Sequence, residues 1–207
     1  MEYINMETWP RKEHYAYFHS MDYPMFNISM NLDATNFLRF VKEHKLSFYY
    51  AMGFAAAQAA NQIPEFRCRI RGEQVVLHDR VHPSFTDLDK GTGLFKYVQV
   101  DLTEDISSFS EKAVQKSAAQ TVFMDVNAEA RDDLLYITCV PWVSFTQVTH
   151  PITLGGDDSI PRIAWGKYFA SGEKILLPFS IQANHALMDG FHAGKYVERL
   201  QSFLDSL

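Results

Sequence analysis

Residues 24–32 alternate between apolar and polar side chains, which is the period-two pattern of a strand that buries one face. Shorter apolar segments bounded by turn residues predict further strands over 66–70, 74–78, 83–88, 94–102, 134–139, 162–169 and 174–183. Gly72 and Ser171–Gly172 supply the turns of two hairpins, and residues 90–93 break the chain between two other strands.

Four other segments carry apolar residues at helical spacing. The first, about 33–44, begins at Asp33, whose side chain suits the cap of a helix. The second, 52–62, is rich in alanine, is expected to be buried on most sides and is ended by Pro64. The third and fourth cover 107–119 and 190–207, and in the last one the buried face is predicted to hold Gly190, Ala193, Val197, Leu200 and Leu204.

These helices and strands follow one another without the regular alternation of a βαβ fold. We therefore expect a single domain over residues 1–207, of the α/β (α+β) class, built as a two-layer sandwich. Its sheet is expected to be mixed and mostly antiparallel, with helices covering the apolar strands. The length of 207 residues and the hydrophobic fraction of 47% are sufficient for one packed core.

The charge of the chain argues against nucleic acid as a partner. Its 19 basic and 25 acidic residues give a net charge of −6, and no dense basic run supplies contacts to phosphates. Arg67, Arg69 and Arg71 alternate along a predicted strand, which indicates one solvated face of a sheet.

The two cysteines, Cys68 and Cys139, form neither a disulfide framework nor a metal motif, which favours a reducing compartment. The first residues lack the apolar segment of a signal peptide, and no run approaches the roughly 20 apolar residues that span a bilayer. We expect a soluble, cytoplasmic protein without a membrane segment.

His78 and His82 have the spacing of paired metal ligands, but that spacing brings two side chains together only on a helix. They lie at a predicted strand end and in the loop that follows. We therefore interpret both as surface residues and predict no metal site.

The strongest chemical signal is His185, which stands where the apolar strand 174–183 runs into a turn. A neutral imidazole there can accept a proton near neutral pH, because the ordinary pKa of histidine is about 6.5. Asp189 follows four residues later, and Gly190 permits a sharp turn. Taken alone, this motif also fits a structural histidine before an ordinary Asp-Gly turn.

The segment Asn184–His192 closely resembles the His-His-Ala-x-x-Asp-Gly-Phe-His active-site motif of the chloramphenicol acetyltransferases. Three further blocks, Pro141–Thr146, Gly166–Tyr168 and Trp9–His14, are similar to blocks of that family. They fall in the family's order at nearly constant offsets over essentially the whole chain, which makes the joint resemblance specific.

The resemblance implies a CoA-dependent acyltransferase fold and the transfer of an acetyl group from acetyl-CoA to the primary hydroxyl of chloramphenicol, which inactivates the antibiotic. By the same resemblance His185 is the general base. Thr138 takes the place of a family serine whose hydroxyl stabilises the oxyanion. Asp189 pairs with Arg11 and holds the loop around His185.

The resemblance also implies the binding residues. Acetyl-CoA, a co-substrate and not a permanently bound cofactor, is expected to contact Tyr49, Pro141, Lys167 and Tyr168. A second lysine of some relatives is replaced by Ser47, and the first histidine of the family motif by Asn184. The acceptor pocket is expected to be lined by Tyr17, Phe18, Pro24, Phe95, Tyr97, Phe145 and His150.

Relatives in the family are homotrimers with an active site at each subunit boundary, and we expect the same assembly here. Two alternatives stay open. The first is a related acyltransferase that acts on a different hydroxyl or thiol acceptor, as the dihydrolipoamide acyltransferase cores do. The second is a catalytically silent binder of a small molecule.

Overall fold

The structure, a computed structural model, describes residues 1–89, 91–125, 130–155 and 157–207. Within these ranges the strands are β1 (Glu2–Tyr3), β2 (Met25–Asp33), β3 (Cys68–Arg71), β4 (Gln74–Leu77), β5 (His82–Leu88), β6 (Phe95–Gln99), β7 (Leu134–Val140), β8 (Arg162–Gly166), β9 (Phe169–Ser171) and β10 (Lys174–Asn184). The α-helices are α1 (Lys12–His19), α2 (Thr35–Glu43), α3 (Phe48–Asn61), α4 (Ile106–Ala119) and α5 (Gly190–Asp205), and a 3-10 helix covers Pro64–Arg67.

Seven strands form the main sheet, in the order β2-β10-β8-β7-β5-β6 with β9 added to β10. The pairs β5–β7 and β7–β8 are parallel and the other pairs are antiparallel. A second, antiparallel sheet has the order β1-β4-β3. The predicted mixed and mostly antiparallel sheet is therefore confirmed.

Helices α2 to α5 form the second layer and pack against one face of the main sheet. The alanine-rich helix α3 lies closest to the strands, and most of its residues are buried, as predicted. A Cβ atom added to Gly53 would lie 2.4 Å from the ring of Phe85, so only glycine permits this approach of helix to sheet. The two-layer prediction is correct.

The other face of the main sheet is polar. One side chain from each of six paired strands forms a cross-strand row on this face: Gln99, Ser84, Tyr136, Arg162, Gln182 and Asn27. The segment that leads from β7 to β8 covers part of it, since Asn27 Nδ2 donates to the carbonyl of Val148 at 2.9 Å. We call this surface the polar face.

The boundaries of several elements differ from the predictions. The strand predicted over 162–169 is divided after Gly166, because the backbone N–H of Lys167 donates to the carbonyl of Val143 instead of a strand partner. Helix α2 begins at Thr35, and its cap residue is Ala34. Asp33 precedes the cap, and its side chain accepts from the N–H of Thr35. Of the predicted break at 90–93, Lys90 lies outside the described residues.

The prediction of a solvated arginine face is wrong for Arg69, which is fully buried. Its guanidinium donates to backbone carbonyls, including those of Phe66 at 2.9 Å and Asp132 at 2.7 Å, which replace its hydration. Burial lowers the pKa of Arg69 to about 10. Arg67 is not on a strand at all, because it ends the 3-10 helix.

His78 is also buried and not a surface residue, because it lies beside Arg69 with its Nε2 atom 3.0 Å from Asp132. His82 begins β5, and its Nδ1 atom accepts from the N–H of Leu102 at 3.0 Å. Among the described residues, no group of His, Cys, Asp and Glu is arranged to hold a metal ion. Over the same part of the chain, no helix has both the length and the apolar composition to span a bilayer.

Candidate active site

His185 is the first residue after β10, in a turn that leads into α5. Both of its backbone groups are used: the N–H donates to the carbonyl of Pro24 at 2.7 Å, and the carbonyl accepts from Arg11 Nη2 at 3.0 Å. The pairing of β2 with β10 brings Pro24 to this position, because the last register pair joins Met25 to Asn184. The sheet therefore fixes where the histidine backbone lies.

Arg11 binds three groups of this turn. Besides the carbonyl of His185, its Nε donates to the carbonyl of Ala186 at 3.2 Å and its Nη1 to Asp189 at 2.8 Å. Burial alone would raise the pKa of Asp189, but the hydrogen bond from Arg11 and the charge of His192 lower it from 3.8 to about 2. The structure thus brings together the two residues of the predicted ion pair.

Two more side chains hold the same turn. Asn184 accepts from the N–H of Ala186 at 2.9 Å and donates to the carbonyl of Asp158 at 3.1 Å. His192 closes a capping box at the start of α5, in which its Nδ1 accepts from the N–H of Asp189 at 3.2 Å. Asn184 therefore has a hydrogen-bonding role in the turn, and His192 has a structural one.

The imidazole of His185 is enclosed by aromatic rings. Phe18 stacks on it with ring centroids 3.9 Å apart and planes at 12°, and Phe26 lies at 5.0 Å. The Nδ1 atom is buried without a hydrogen-bond partner in the part of the chain that the structure describes, whereas Nε2 is not enclosed in this way. Tyr17 packs edge-on against Phe18, so three of the predicted acceptor residues, Tyr17, Phe18 and Pro24, gather at His185.

The four residues predicted to contact CoA line one cavity of about 700 Å³, which we call cavity A: Tyr49, Pro141, Lys167 and Tyr168. Tyr49 is fixed by a hydrogen bond from its hydroxyl to the carbonyl of Thr86 at 2.7 Å. A Cβ atom on Gly166 would lie 2.6 Å from the carbonyl of Val143, so the glycine at the wall of this cavity permits a close approach of the segment that contains Val143.

Sequence reasoning missed several residues of cavity A. Trp142 is 68% exposed and Trp165 is fully buried, and both line the cavity with Phe48 and Asp87. The sequence did contain a signal for Trp142, because this residue belongs to the block Pro141–Thr146 that is similar to a block of the family. Ser47 caps α3 by accepting from the N–H of Tyr50 at 3.5 Å, next to this cavity.

Thr138 lines a second cavity of about 570 Å³, which we call cavity B, together with three predicted acceptor residues, Phe95, Tyr97 and His150. Cavity B adjoins cavity A, because Thr86, Leu88, Cys139 and Trp142 line both. The seventh predicted acceptor residue, Phe145, lines neither cavity and lies against Gly166.

The structure does not bring Thr138 and His185 together within one chain. Thr138 is level with Ala164 on β8, which is level with Ser180 on β10, five residues before His185. With a rise of about 3.3 Å per residue and a strand spacing of about 4.8 Å, the two Cα atoms are roughly 19 Å apart. The predicted base and the predicted oxyanion hydroxyl of one chain therefore cannot act on the same carbonyl.

Comparison with known proteins adds to this geometry. A family model described as chloramphenicol acetyltransferase matches residues 1–201. A chloramphenicol acetyltransferase of Klebsiella sp is 31% identical over 203 residues, which cover 98% of this chain and 93% of that protein.

Two solved structures share the fold. A chloramphenicol acetyltransferase matches with a TM-score of 0.88 at 24% identity, covering 98% of this chain and 99% of that one. A dihydrolipoamide acetyltransferase of Azotobacter vinelandii matches with a TM-score of 0.70 at 15% identity, covering 93% and 85%. The expected acyltransferase fold is thereby confirmed.

Proposed function

Because this chain belongs to the chloramphenicol acetyltransferase family, we propose that it transfers the acetyl group of acetyl-CoA to the primary hydroxyl of chloramphenicol. The observation that carries the proposal is the turn at His185, which is held by Arg11, Asn184 and Pro24 while its Nε2 atom stays open. Acetyl-CoA is a co-substrate in this reaction, and cavity A is its proposed binding site.

His185 acts as the general base. Its Nε2 atom takes the proton of the acceptor hydroxyl while the hydroxyl oxygen attacks the thioester carbonyl carbon. The stacked ring of Phe18 keeps the imidazole in one orientation, with centroids 3.9 Å apart. Arg11 and Asp189 hold the backbone of the turn and do not exchange protons with the substrate.

The attack gives a tetrahedral intermediate whose oxyanion needs a positioned donor. The hydroxyl of Thr138 on the wall of cavity B is the proposed donor. Collapse of the intermediate breaks the carbon–sulfur bond, and the leaving CoA thiolate takes the proton from the His185 imidazolium. The products are the acetyl ester and free CoA, and His185 is neutral again.

We propose further that the active site forms between copies of the chain, in a homotrimer. The separation of roughly 19 Å between Thr138 and His185 supports this arrangement, because the hydroxyl that His185 deprotonates must reach the same carbonyl whose oxygen Thr138 contacts. The aromatic residues at His185 are partly exposed in the single chain, and Tyr17 is 64% exposed. They complete cavity B when they are supplied by a neighbouring subunit.

The test is CoA release from acetyl-CoA with chloramphenicol, in the wild type and in His185→Ala. We expect robust release by the wild type and a loss of about 10³-fold or more in the variant, since a general base contributes up to about 10⁴-fold. If the wild type binds acetyl-CoA and releases none, chloramphenicol is not the acceptor. A panel of hydroxyl and thiol acceptors, including dihydrolipoamide, then decides between the alternatives.

A second experiment tests the shared site. We expect the His185→Ala and Thr138→Ala chains each to be weakly active, and their co-expression to give mixed oligomers in which roughly a quarter of the sites carry both intact residues. Recovery of that share of activity supports a site built from two chains. No recovery, with mixed oligomers demonstrated by mass, contradicts it.

A further inference from the structure

Cavity A, the proposed site of an anionic co-substrate, has a carboxylate on its wall. This group belongs to Asp87, which lies outside the blocks of the chain that resemble the family. Acetyl-CoA carries phosphate groups, which a carboxylate repels. The position of Asp87 therefore favours contact with a part of acetyl-CoA other than its phosphates.

The helix layer holds this carboxylate through one of its two oxygen atoms. Oδ2 accepts hydrogen bonds from the hydroxyl of Tyr50 on α3, at 3.1 Å, and from that of Ser117 on α4. Burial raises the pKa of Tyr50 to about 12, and the charge of Asp87 acts in the same direction, so the phenol is a donor at neutral pH. Among the described residues, Oδ1 has no hydrogen-bond donor. One acceptor oxygen thus remains for a ligand in the cavity.

The lysine opposite Asp87 on the neighbouring strand does not pair with it. Lys96 is the partner of Asp87 in the register of β5 and β6. Its Nζ atom donates instead to the carbonyls of Ser117 and Gln120, both at 2.6 Å, at the end of α4. Over the ranges that the structure describes, no cationic side chain forms an ion pair with Asp87. Since a carboxylate only accepts hydrogen bonds, the ligand atom that contacts it must be a donor.

Asp87 lies close to the place where the acetyl group is proposed to be transferred. Counting two residues on from the register pair Phe85 and Ile137 places Asp87 level with Cys139, the residue after Thr138. With a strand spacing of about 4.8 Å and a rise of about 3.3 Å per residue, the Cα atoms of Asp87 and Thr138 are roughly 6 Å apart. Cys139 lines both cavities, so it marks their junction.

The covalent structure of acetyl-CoA limits the donor groups that reach this place. Its thioester carbonyl is proposed to lie at Thr138, and the rest of the molecule runs from there through the junction into cavity A. The first N–H along the molecule belongs to the amide of the pantetheine arm that follows the sulfur after a short ethylene link. The other donors, which include the second amide and the amino group of adenine, lie farther from the thioester. The first amide is therefore the group that fits Asp87.

We propose that Asp87 is a specificity-determining residue for the acyl donor, and that its Oδ1 atom accepts a hydrogen bond from the N–H of the amide nearest the thioester. This contact holds the pantetheine arm at the junction of the two cavities, so that the thioester carbonyl stays at Thr138. The inference rests on the proposed binding of acetyl-CoA in cavity A, and it adds a residue that recognises the donor there.

The test uses two acyl donors that differ at one position. One is acetyl-CoA, and the other is an analogue of it in which an ester oxygen replaces the N–H of the amide nearest the thioester. The ratio of their kcat/KM values, with chloramphenicol as acceptor, measures the preference for the amide. Asp87→Ala removes the carboxylate. Tyr50→Phe is the matched control, because it removes one hydroxyl that holds Oδ2 and leaves the carboxylate in place.

We expect the wild type and Tyr50→Phe to prefer the amide donor by about tenfold or more, and Asp87→Ala to use the two donors within about twofold of each other. A purely structural role of Asp87 would instead lower both kcat/KM values together and keep their ratio, which overturns the inference. If Asp87→Ala does not fold, Asp87→Asn replaces it. It has the same size and must still lower the preference, because a neutral acceptor forms the weaker hydrogen bond; an undiminished preference contradicts the proposal.

Calorimetric binding of CoA and of its ester analogue, without an acceptor, separates this inference from the proposed reaction. If the wild type transfers no acetyl group to chloramphenicol but binds CoA about tenfold more tightly than the analogue, and Asp87→Ala binds both alike, the donor contact stands and the proposed reaction fails. If acetyl transfer is normal and Asp87→Ala keeps the wild-type preference for CoA, the reaction stands and the inference fails.

Discussion

Replacing Arg11 by lysine keeps the positive charge beside Asp189 and removes the guanidinium group that binds the His185 turn. In the native chain the guanidinium reaches Asp189 and the carbonyls of His185 and Ala186, and its side chain is only 12% exposed. A single ammonium group cannot occupy all three positions. We expect the Asp189 contact to survive and both carbonyls to lose their donors.

The size of the effect follows from those two carbonyls. A buried acceptor left without a partner costs about 1–3 kcal/mol, so the loss in the free energy of unfolding is about 2–4 kcal/mol after water has replaced part of each bond. For a chain of this size that corresponds to a decrease in Tm of about 4–16 °C. Because the carbonyl of His185 loses one of the two contacts that fix its backbone, kcat is expected to fall by about 10- to 100-fold.

The assay is thermal unfolding at one protein concentration, together with kcat for acetyl transfer to chloramphenicol. Arg39→Lys is the control, because Arg39 lies on the exposed surface of α2 and makes one hydrogen bond to Asn36. If the Tm of Arg11→Lys lies within about 2 °C of the wild-type Tm and its kcat is unchanged, the reasoning is refuted. The carbonyl contacts then do not position His185.

Three further predictions concern single residues. Gly166→Ala is expected to displace the Val143 carbonyl, which would lie 2.6 Å from the new Cβ, and to raise the KM for acetyl-CoA by about tenfold while the KM for chloramphenicol changes little. Thr138→Ser should keep kcat within about fivefold and Thr138→Ala should lower it by about 10²-fold, as stopped assays at saturating substrates will show. The lowered pKa of Asp189 stabilises the fold fully above its ordinary value of 3.8, and that stability is lost as the pH falls towards about 2. In urea titrations between pH 4 and pH 2 the wild type should therefore lose more stability than Asp189→Asn, and parallel losses would contradict this assignment.

The sequence carried most of the information on the His185 turn, because that turn is local. Asn184, His185 and Asp189 lie within six residues, and their type and order match one family motif, whose family is confirmed by comparison. The helical period of the last segment likewise predicted α5 to within two residues at its end. Short-range patterns of this kind do not depend on the rest of the fold.

Other features depend on contacts between distant segments and leave no local pattern. The alternation along β3 predicts Arg69 to be a surface residue, yet the side chain is buried. The carbonyls of Leu134 and Asp132, more than 60 positions away, accept its hydrogen bonds there. The separation of Thr138 from His185 follows from strand order and register, which periodicity does not reveal. That residues 1–207 form a single domain stays a prediction, as do the individual roles of the site residues.

The cross-strand row on the polar face also affects how the chain folds. Each of its six residues alternates with a core residue, so a slip of one position in any strand would turn a polar side chain toward the helices and an apolar one toward the cavities. Among the residues that the structure describes, Gln182 and Arg162 find their side-chain partners on their own side of the sheet. A misaligned strand would therefore bury unpaired polar groups at once. The row, of which Ser84, Tyr136 and Arg162 also line cavity B, thus acts during folding as a check on the alignment of the strands.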